Sequence, residues 1–472
     1  MRGEFNYSAN NLDLLLLNSP LKNYELFPKL NDFTLPTLGL GYIATCAEAH
    51  GFNVEVIDAE ALGLGVSQLA EIVNKKSPRW VGLNLLAPTY QNSIEILRQL
   101  TPDIRIMLGG HQAKAMPTTI LKERRIPRID ALVLGEAETR VPILLGDVES
   151  RQSLPQVFWR EGDVAVMPKV TGYDPSLLAP DINTLPFVDR KHLQQDPYMD
   201  GLVRESAMVA SRGCPFDCSF CGAAISANPD VTIRMRKPHN LIAEIVELRN
   251  VHHVERVRFV DDLFLANIKL IREILSAFVE EQIKIQWDAT GRINVLANAS
   301  DDIIDLMVLS GCREVALGIE SGSDRLLSHI DKKISVRQIL TAVERLCRAG
   351  VNVKGYFILG LPTETRQEQQ QTVELIYRLQ DLTSNLPGRF RCSAFEYRPY
   401  PGTPDWKRLV SAGYSEQEMM NYEPETLAEL FQEKGLRDRD EFNFSTGIQF
   451  GEVPVSETRR TLAELMRRQK EL

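Results

Sequence analysis

Apolar residues along this chain fall into short runs bounded by glycine, proline and polar turns. Between the runs lie stretches in which apolar positions recur every three or four residues. The run Leu12-Asp-Leu-Leu-Leu-Leu17 reads as a buried strand, followed by a loop through Pro20 and Pro36. Helical spacing from about Gly39 to His50 stops at Gly51, and Asn53-Val-Glu-Val-Ile-Asp58 supplies the next strand pattern. A helix near Ser67 to Asn74, a strand Trp80 to Leu86, a helix Tyr90 to Leu100 and the runs Ile104–Leu108 and Ala131–Leu134 continue the alternation.

Strand and helix patterns that alternate in this way predict an α/β fold, because parallel neighbours need a crossover between them. The five strands predict a Rossmann-like, flavodoxin-like domain over residues 1–145. Residues 146–204 carry Pro155, Pro168, Pro175, Pro180 and Pro186 and read as a connector with short strands. A second alternation follows over 205–404. Its strands are Ala207–Ala210, Arg256–Val260, a strand ending at Gln286–Arg292, Val315–Glu320, a strand from Gly355 and Arg391–Tyr397, with a helix over Asn240–Val251. Residues 405–472 mix Tyr414, Tyr422, Phe431, Phe442, Phe444 and Phe450 with many charges and are expected to form a small, mainly helical cap over the mouth of the second domain.

A length of 472 residues suits two or three domains, and 44% apolar with 25% charged residues is ordinary for a globular protein. The aliphatic run Leu14–Leu17 is too short to span a bilayer and no basic leader precedes it, so a cytoplasmic protein without a membrane partner is expected. The net charge of -9 argues against broad nucleic-acid binding.

Of the seven cysteines, Cys214, Cys218 and Cys221 stand together in Ser211-Arg-Gly-Cys-Pro-Phe-Asp-Cys-Ser-Phe-Cys221. Such clustering fits metal use in a reducing compartment better than a disulfide framework. Three thiolates on a cubane cluster leave one iron without a protein ligand, and an open iron is where chemistry can occur. The alternative is a structural zinc knuckle, which is usually closed by four ligands, and no fourth ligand follows at suitable spacing. His252 and His253, read as strand neighbours, would point to opposite faces. Cys312 and Cys347 read as buried small apolar residues.

The Cys-x-x-x-Cys-x-x-Cys spacing with Phe220 before the last cysteine resembles the signature of the radical S-adenosylmethionine (SAM) enzymes. The resemblance implies a partial (β/α)6 barrel, a [4Fe-4S] cluster on Cys214, Cys218 and Cys221, and reductive cleavage of SAM to a 5'-deoxyadenosyl radical. It also implies an electron donor such as flavodoxin or ferredoxin. Phe220 matches the position beside the adenine, and Asp261 or Asp262 at a strand end matches the site of the SAM amine, unless the pair is a helix N-cap. Arg292 is a clamp on the SAM carboxylate or a solvated arginine. Glu320 and Ser321 suit ribose hydroxyls or the amine, and Gly360 with Pro362 shapes backbone beside the adenine. Glu364 is a member of that motif or a helix-start residue. Cys392, on the last strand, is the candidate catalytic residue, facing substrate to deliver a hydrogen atom or proton.

In the first domain, Leu35–Tyr42, Gly51–Asp58, Leu108–His111 and Leu134–Glu138 resemble the cobalamin-binding domain of one radical SAM subgroup. There the corrin lies over the carboxyl ends of the strands, facing the SAM site. Gly39, Gly109, Gly110, Gly135 and Glu136 are the candidate cobalamin contacts, with tight turns as the other reading of the glycines. His111 caps a turn or touches the cofactor edge, Asn84–Thr89 lines its lower face, and the Asp-x-His-x-x-Gly cobalt-ligand motif is absent. The resemblance implies cobalamin-dependent C-methylation of an unactivated carbon in a small-molecule or natural-product biosynthetic intermediate. The alternatives are a non-methylating radical dehydration, deoxygenation or cyclisation, and a non-catalytic cobalamin or iron-sulfur sensor.

Overall fold

The computed structural model describes residues 12–29, 34–168, 170, 174–422 and 446–471, which fall into two compact units dividing after Gln195. Phe431, Phe442 and Phe444 lie outside the described residues.

In the first unit, β1 (Leu14–Asn18), β2 (Val54–Asp58), β3 (Trp80–Asn84), β4 (Arg105–Gly109) and β5 (Ile129–Val133) form a parallel sheet in the order β2-β1-β3-β4-β5. Every residue of β1 and β5 is buried, as expected for strands covered by helices on both faces. This order reverses between β1 and β3, which places the switch-point crevice at the carboxyl ends of those two strands. The stretch read as a connector is divided between the units. β6 (Val157–Glu161) and β7 (Val164–Val166) extend the first sheet antiparallel, with Pro155 and Pro168 just outside them. Val188 and Leu193 pack against helix Leu38–Ala49 so closely that a Cβ on Gly41 would meet them at 2.6 and 3.1 Å.

In the second unit, β8 (Tyr198–Asp200) runs antiparallel to β9 (Val203–Met208). A two-residue ladder of β10 (Ser211–Arg212) and β11 (Arg234–Met235) interrupts the alternation. β12 (Arg256–Phe259), β13 (Gln286–Gly291), β14 (Cys312–Glu320), β15 (Asn352–Leu359) and β16 (Phe390–Glu396) then add in parallel. The order β16-β15-β14-β13-β12-β9-β8 leaves β16 and β8 as edges, so the six parallel strands form an open, partial barrel. Ser335 with Gln338, and Thr365 with Glu368, make capping boxes that start helices Val336–Arg348 and Arg366–Thr383.

Alternation along the barrel strands separates two faces. Val257, Trp287, Val315, Leu317, Val353, Phe357 and Phe390 face the surrounding helices in one apolar core. The intervening Arg258, Asp288, Glu314, Lys354 and Arg391 line a small space inside the barrel. Glu205 pairs with Arg258 at 2.9 Å, Arg391 with Glu314 at 2.8 Å, and Arg313 with Asp288. Barrel interiors are usually filled by branched apolar side chains, and this one is filled by ion pairs.

The same alternation corrects one expectation. Cys392 is in phase with Phe390 and Ala394, 6% exposed, and packed in the core that includes Leu462 and Leu465, so it faces the helices and not the barrel interior. Those leucines belong to helix Val455–Glu471, which lies along β16 as part of the barrel wall. His252 ends helix Pro238–His252, and His253 is its left-handed C-cap, so neither sits on a strand.

Candidate functional site

The cysteine loop leaves the barrel just beyond the carboxyl end of β9, where parallel barrels place their chemistry. Its entry is fixed by Asp261, whose Oδ1 accepts the backbone N–H groups of Ala210 and Ser211 at 2.8 and 2.7 Å. Burial pushes the Asp261 carboxyl up to about 7, against the pull of those two N–H donors. Further on, the Ser219 N–H donates to the Ile330 carbonyl, and the Asp405 N–H donates to the Ser219 carbonyl. Gly213 stands at φ +83°, a conformation that favours glycine, immediately before Cys214.

Burial raises the thiols of Cys214 and Cys221, the latter to about 12. They stay protonated until a metal supplies compensating charge, and metal binding then releases the protons. Sulfurs on one tetrahedral zinc with 2.3 Å bonds lie roughly 3.8 Å apart. Among the described residues, the only group of three or more His, Cys, Asp or Glu ligand atoms lying within 4.8 Å of one another belongs to Glu48, Asp189 and His192. The three cysteines do not form such a tight group. The Glu48 group is itself filled by the Lys191 ammonium, 2.8 Å from Glu48 and 3.1 Å from Asp189.

Around the loop the structure gathers Phe220, Asp262, Arg292 and Glu320. Asp261 is spent on holding the loop, while Asp262 is exposed and close enough to Cys214 to raise its thiol. Arg292 is 5% exposed; it donates to Cys218 Sγ at 3.3 Å and to the Lys332 carbonyl, and its guanidinium lies 3.9 Å over the Phe216 ring. Its burial rules out the solvated reading and sets the guanidinium against the cluster loop. Glu320 holds a left-handed φ of +68° at the end of β14 and pairs with Lys332 at 2.6 Å. Lys332 in turn lies 5.8 Å from the Phe220 ring centre. Ser321 is fully buried and bonds to Thr372 Oγ1 and the Ser323 N–H, which removes it from the site. Phe216 and Lys332 escaped sequence reading: Lys332 sits in Asp331-Lys-Lys333, a charge run that reads as solvated, and only its long-range pairing with Glu320 marks it.

Beyond β15, Gly360 stands at φ +82° and its N–H donates to Glu364 Oε2. Glu364 is 1% exposed, its Oε1 has no hydrogen-bond partner, and burial pushes its carboxyl up to about 7. The helix N-cap is Thr365, so Glu364 braces the Gly360–Pro362 turn. A carboxyl raised on folding binds a proton that the unfolded chain has released, so its stabilisation is complete below its ordinary range and lost as pH rises through about 7. Glu364→Gln is expected to remove up to about 3 kcal/mol of the stability lost between pH 5 and 8. Urea midpoints at both pH values check this, and equal pH slopes for variant and parent would refute it.

In the first unit, the expected cobalamin contacts separate by geometry. Gly109 ends β4 and Gly135, exposed at φ +81°, follows β5, both leaving bare backbone at the carboxyl edge of the sheet. Gly110 is demanded by packing, since a Cβ there would meet Asn84 Oδ1 at 2.2 Å and Leu85 O at 2.7 Å. His111 is exposed at the start of a short helix, Gly39 is exposed with nothing near its Cβ position, and the Glu136 carbonyl accepts from Arg140. The hydroxyls of Thr34 and Thr37, between β1 and helix Leu38–Ala49 at this edge, are buried without hydrogen-bond partners. Bare backbone and orphan hydroxyls fit a cofactor rimmed with amide groups.

An open barrel whose first strand delivers three cysteines defines a radical SAM fold, and the family description Radical SAM superfamily matches residues 208–376. The description B12 binding domain matches residues 32–145. The chain belongs to the radical SAM superfamily, in the group that carries a B12-binding domain, and is a radical SAM enzyme. It is 28% identical over 388 residues to an uncharacterized methyltransferase of Pyrococcus horikoshii, covering 80% of this chain and 79% of that protein. It is 24% identical over 461 residues to the cytidylyl-2-hydroxyethylphosphonate methyltransferase of Streptomyces wedmorensis, covering 86% and 83%. Its fold is similar to the radical SAM methyltransferase TsrM of Kitasatospora setae, solved with cobalamin and a [4Fe-4S] cluster, at TM-score 0.62 and 19% identity over 84% of this chain and 74% of that one.

Proposed function

We propose that this enzyme is a cobalamin-dependent radical SAM C-methyltransferase acting on an unactivated carbon of a small-molecule intermediate. The observation that carries the reading is the pairing, in one chain, of a three-cysteine loop at a barrel mouth with a sheet edge of bare glycines and orphan hydroxyls. The names of two relatives, both methyltransferases, support it. When bound, the cluster supplies the electron that cleaves SAM, and cobalamin supplies the methyl group.

The chain's own residues prepare that chemistry. Cys214, Cys218 and Cys221 hold iron, and Asp261 sets the entry angle of their loop. Phe220, Asp262, the Glu320–Lys332 pair and the Gly360–Pro362 turn hold SAM. Gly109, Gly135, Thr34 and Thr37 hold cobalamin. Flavodoxin or ferredoxin suits the need for a one-electron donor.

The test is anaerobic protein made with cobalamin supplied, followed by iron, sulfide and corrinoid quantification and by product analysis with SAM and dithionite. One corrinoid per chain, with S-adenosylhomocysteine beside 5'-deoxyadenosine, is expected. A loaded cluster yielding 5'-deoxyadenosine without corrinoid or S-adenosylhomocysteine would replace methyl transfer by a non-methylating radical reaction.

A further inference from the structure

Arg292 follows directly on β13, so its backbone is fixed by the barrel. Its guanidinium is held from two other directions, by the Phe216 ring inside the cysteine loop and by the Lys332 carbonyl beyond β14. The remaining Nη1 donates to Cys218 Sγ at 3.3 Å, and Nε has no partner. No carboxylate among the described residues pairs with Arg292, whereas the neighbouring Lys332 is neutralised by Glu320. The cluster loop therefore meets one buried, oriented and uncompensated cation.

We propose that Arg292 is a positioning residue that raises the reduction potential of the cluster, an inference that rests on the three cysteines holding iron. Hydrogen bonds to cluster sulfurs, local charge and burial set the potential of an iron-sulfur centre. Adding one electron makes the cluster more negative, and a fixed positive charge at a ligating sulfur favours that form. The planar guanidinium suits the role because it remains charged when buried and stacks on an aromatic face, which an ammonium does less well.

The test is an EPR-monitored redox titration of anaerobically loaded protein, with iron and sulfide measured on each sample. Arg292→Gln is expected to lower the equilibrium constant for one-electron reduction about tenfold, which is about 59 mV in the negative direction. Arg292→Lys should recover only part of that loss. A fully loaded Arg292→Gln protein with the parent's potential would overturn the proposal. If Arg292→Gln fails to hold iron, Phe216→Leu decides the matter. It keeps the charge and all three thiols but removes the ring on which the guanidinium is stacked, and an unchanged potential there also overturns the proposal. A parent protein that binds no four-iron cluster would instead defeat the cluster assignment itself.

Discussion

Cys218→Ala is expected to abolish reductive SAM cleavage, taking 5'-deoxyadenosine below detection and iron far below four per chain, while leaving the fold in place. Two thiols cannot hold a cubane against exchange with solvent, and the third corner is also where Arg292 makes its contact. The structural cost is small by comparison, about 1 kcal/mol for removing one sulfur atom from a 6% exposed side chain. Cys347→Ala is the control. Its thiol is fully buried in the apolar core, so its loss should lower stability and spare iron binding. Iron and sulfide analysis, circular dichroism and product detection separate the two cases. Retained cleavage in Cys218→Ala would sink the site.

Lys332→Met is expected to cost about 3–5 kcal/mol of stability, because it leaves the Glu320 carboxylate buried without its partner. The pair lies at 2.6 Å with both side chains under a tenth exposed. It also fills the space over Gly318, where a Cβ would meet Glu320 Oε1 at 2.4 Å and Lys332 Nζ at 2.5 Å. The double variant Lys332→Met with Glu320→Gln should recover most of the loss, since the isolated charge is then gone. Urea midpoints for both single variants and the double complete the cycle. A cost below about 1 kcal/mol for Lys332→Met would mean that water reaches the pair.

Most of the architecture was legible in the chain because strands covered by helices leave short apolar runs between turn signals, as at Leu14–Leu17 and Val315–Ile319. β6 and β7 were obscured by Pro155 and Pro168, which look like linker signals but only flank an antiparallel edge. The cysteine loop was visible because its ligands are local in sequence. What surrounds it is assembled over long separations, so the side chain on which Arg292 is spent, the partner of Glu320 and the burial of Ser321 had no local signal. Cys392 was misplaced by phase alone: a shift of one residue along β16 exchanges the barrel interior for the helical layer.

The ion pairs inside the barrel bear on how such an enzyme changes over generations. Glu205 with Arg258, Glu314 with Arg391 and Asp288 with Arg313 tie residues on different strands, so a single replacement at the last two pairs strands a charge whose partner is encoded on another strand. New interior shapes are then reached through coupled, two-site steps, and many one-step variants are lost to misfolding before selection can act on their chemistry. A mutational library that varies these positions in pairs should hold a larger folded fraction than one that varies them singly.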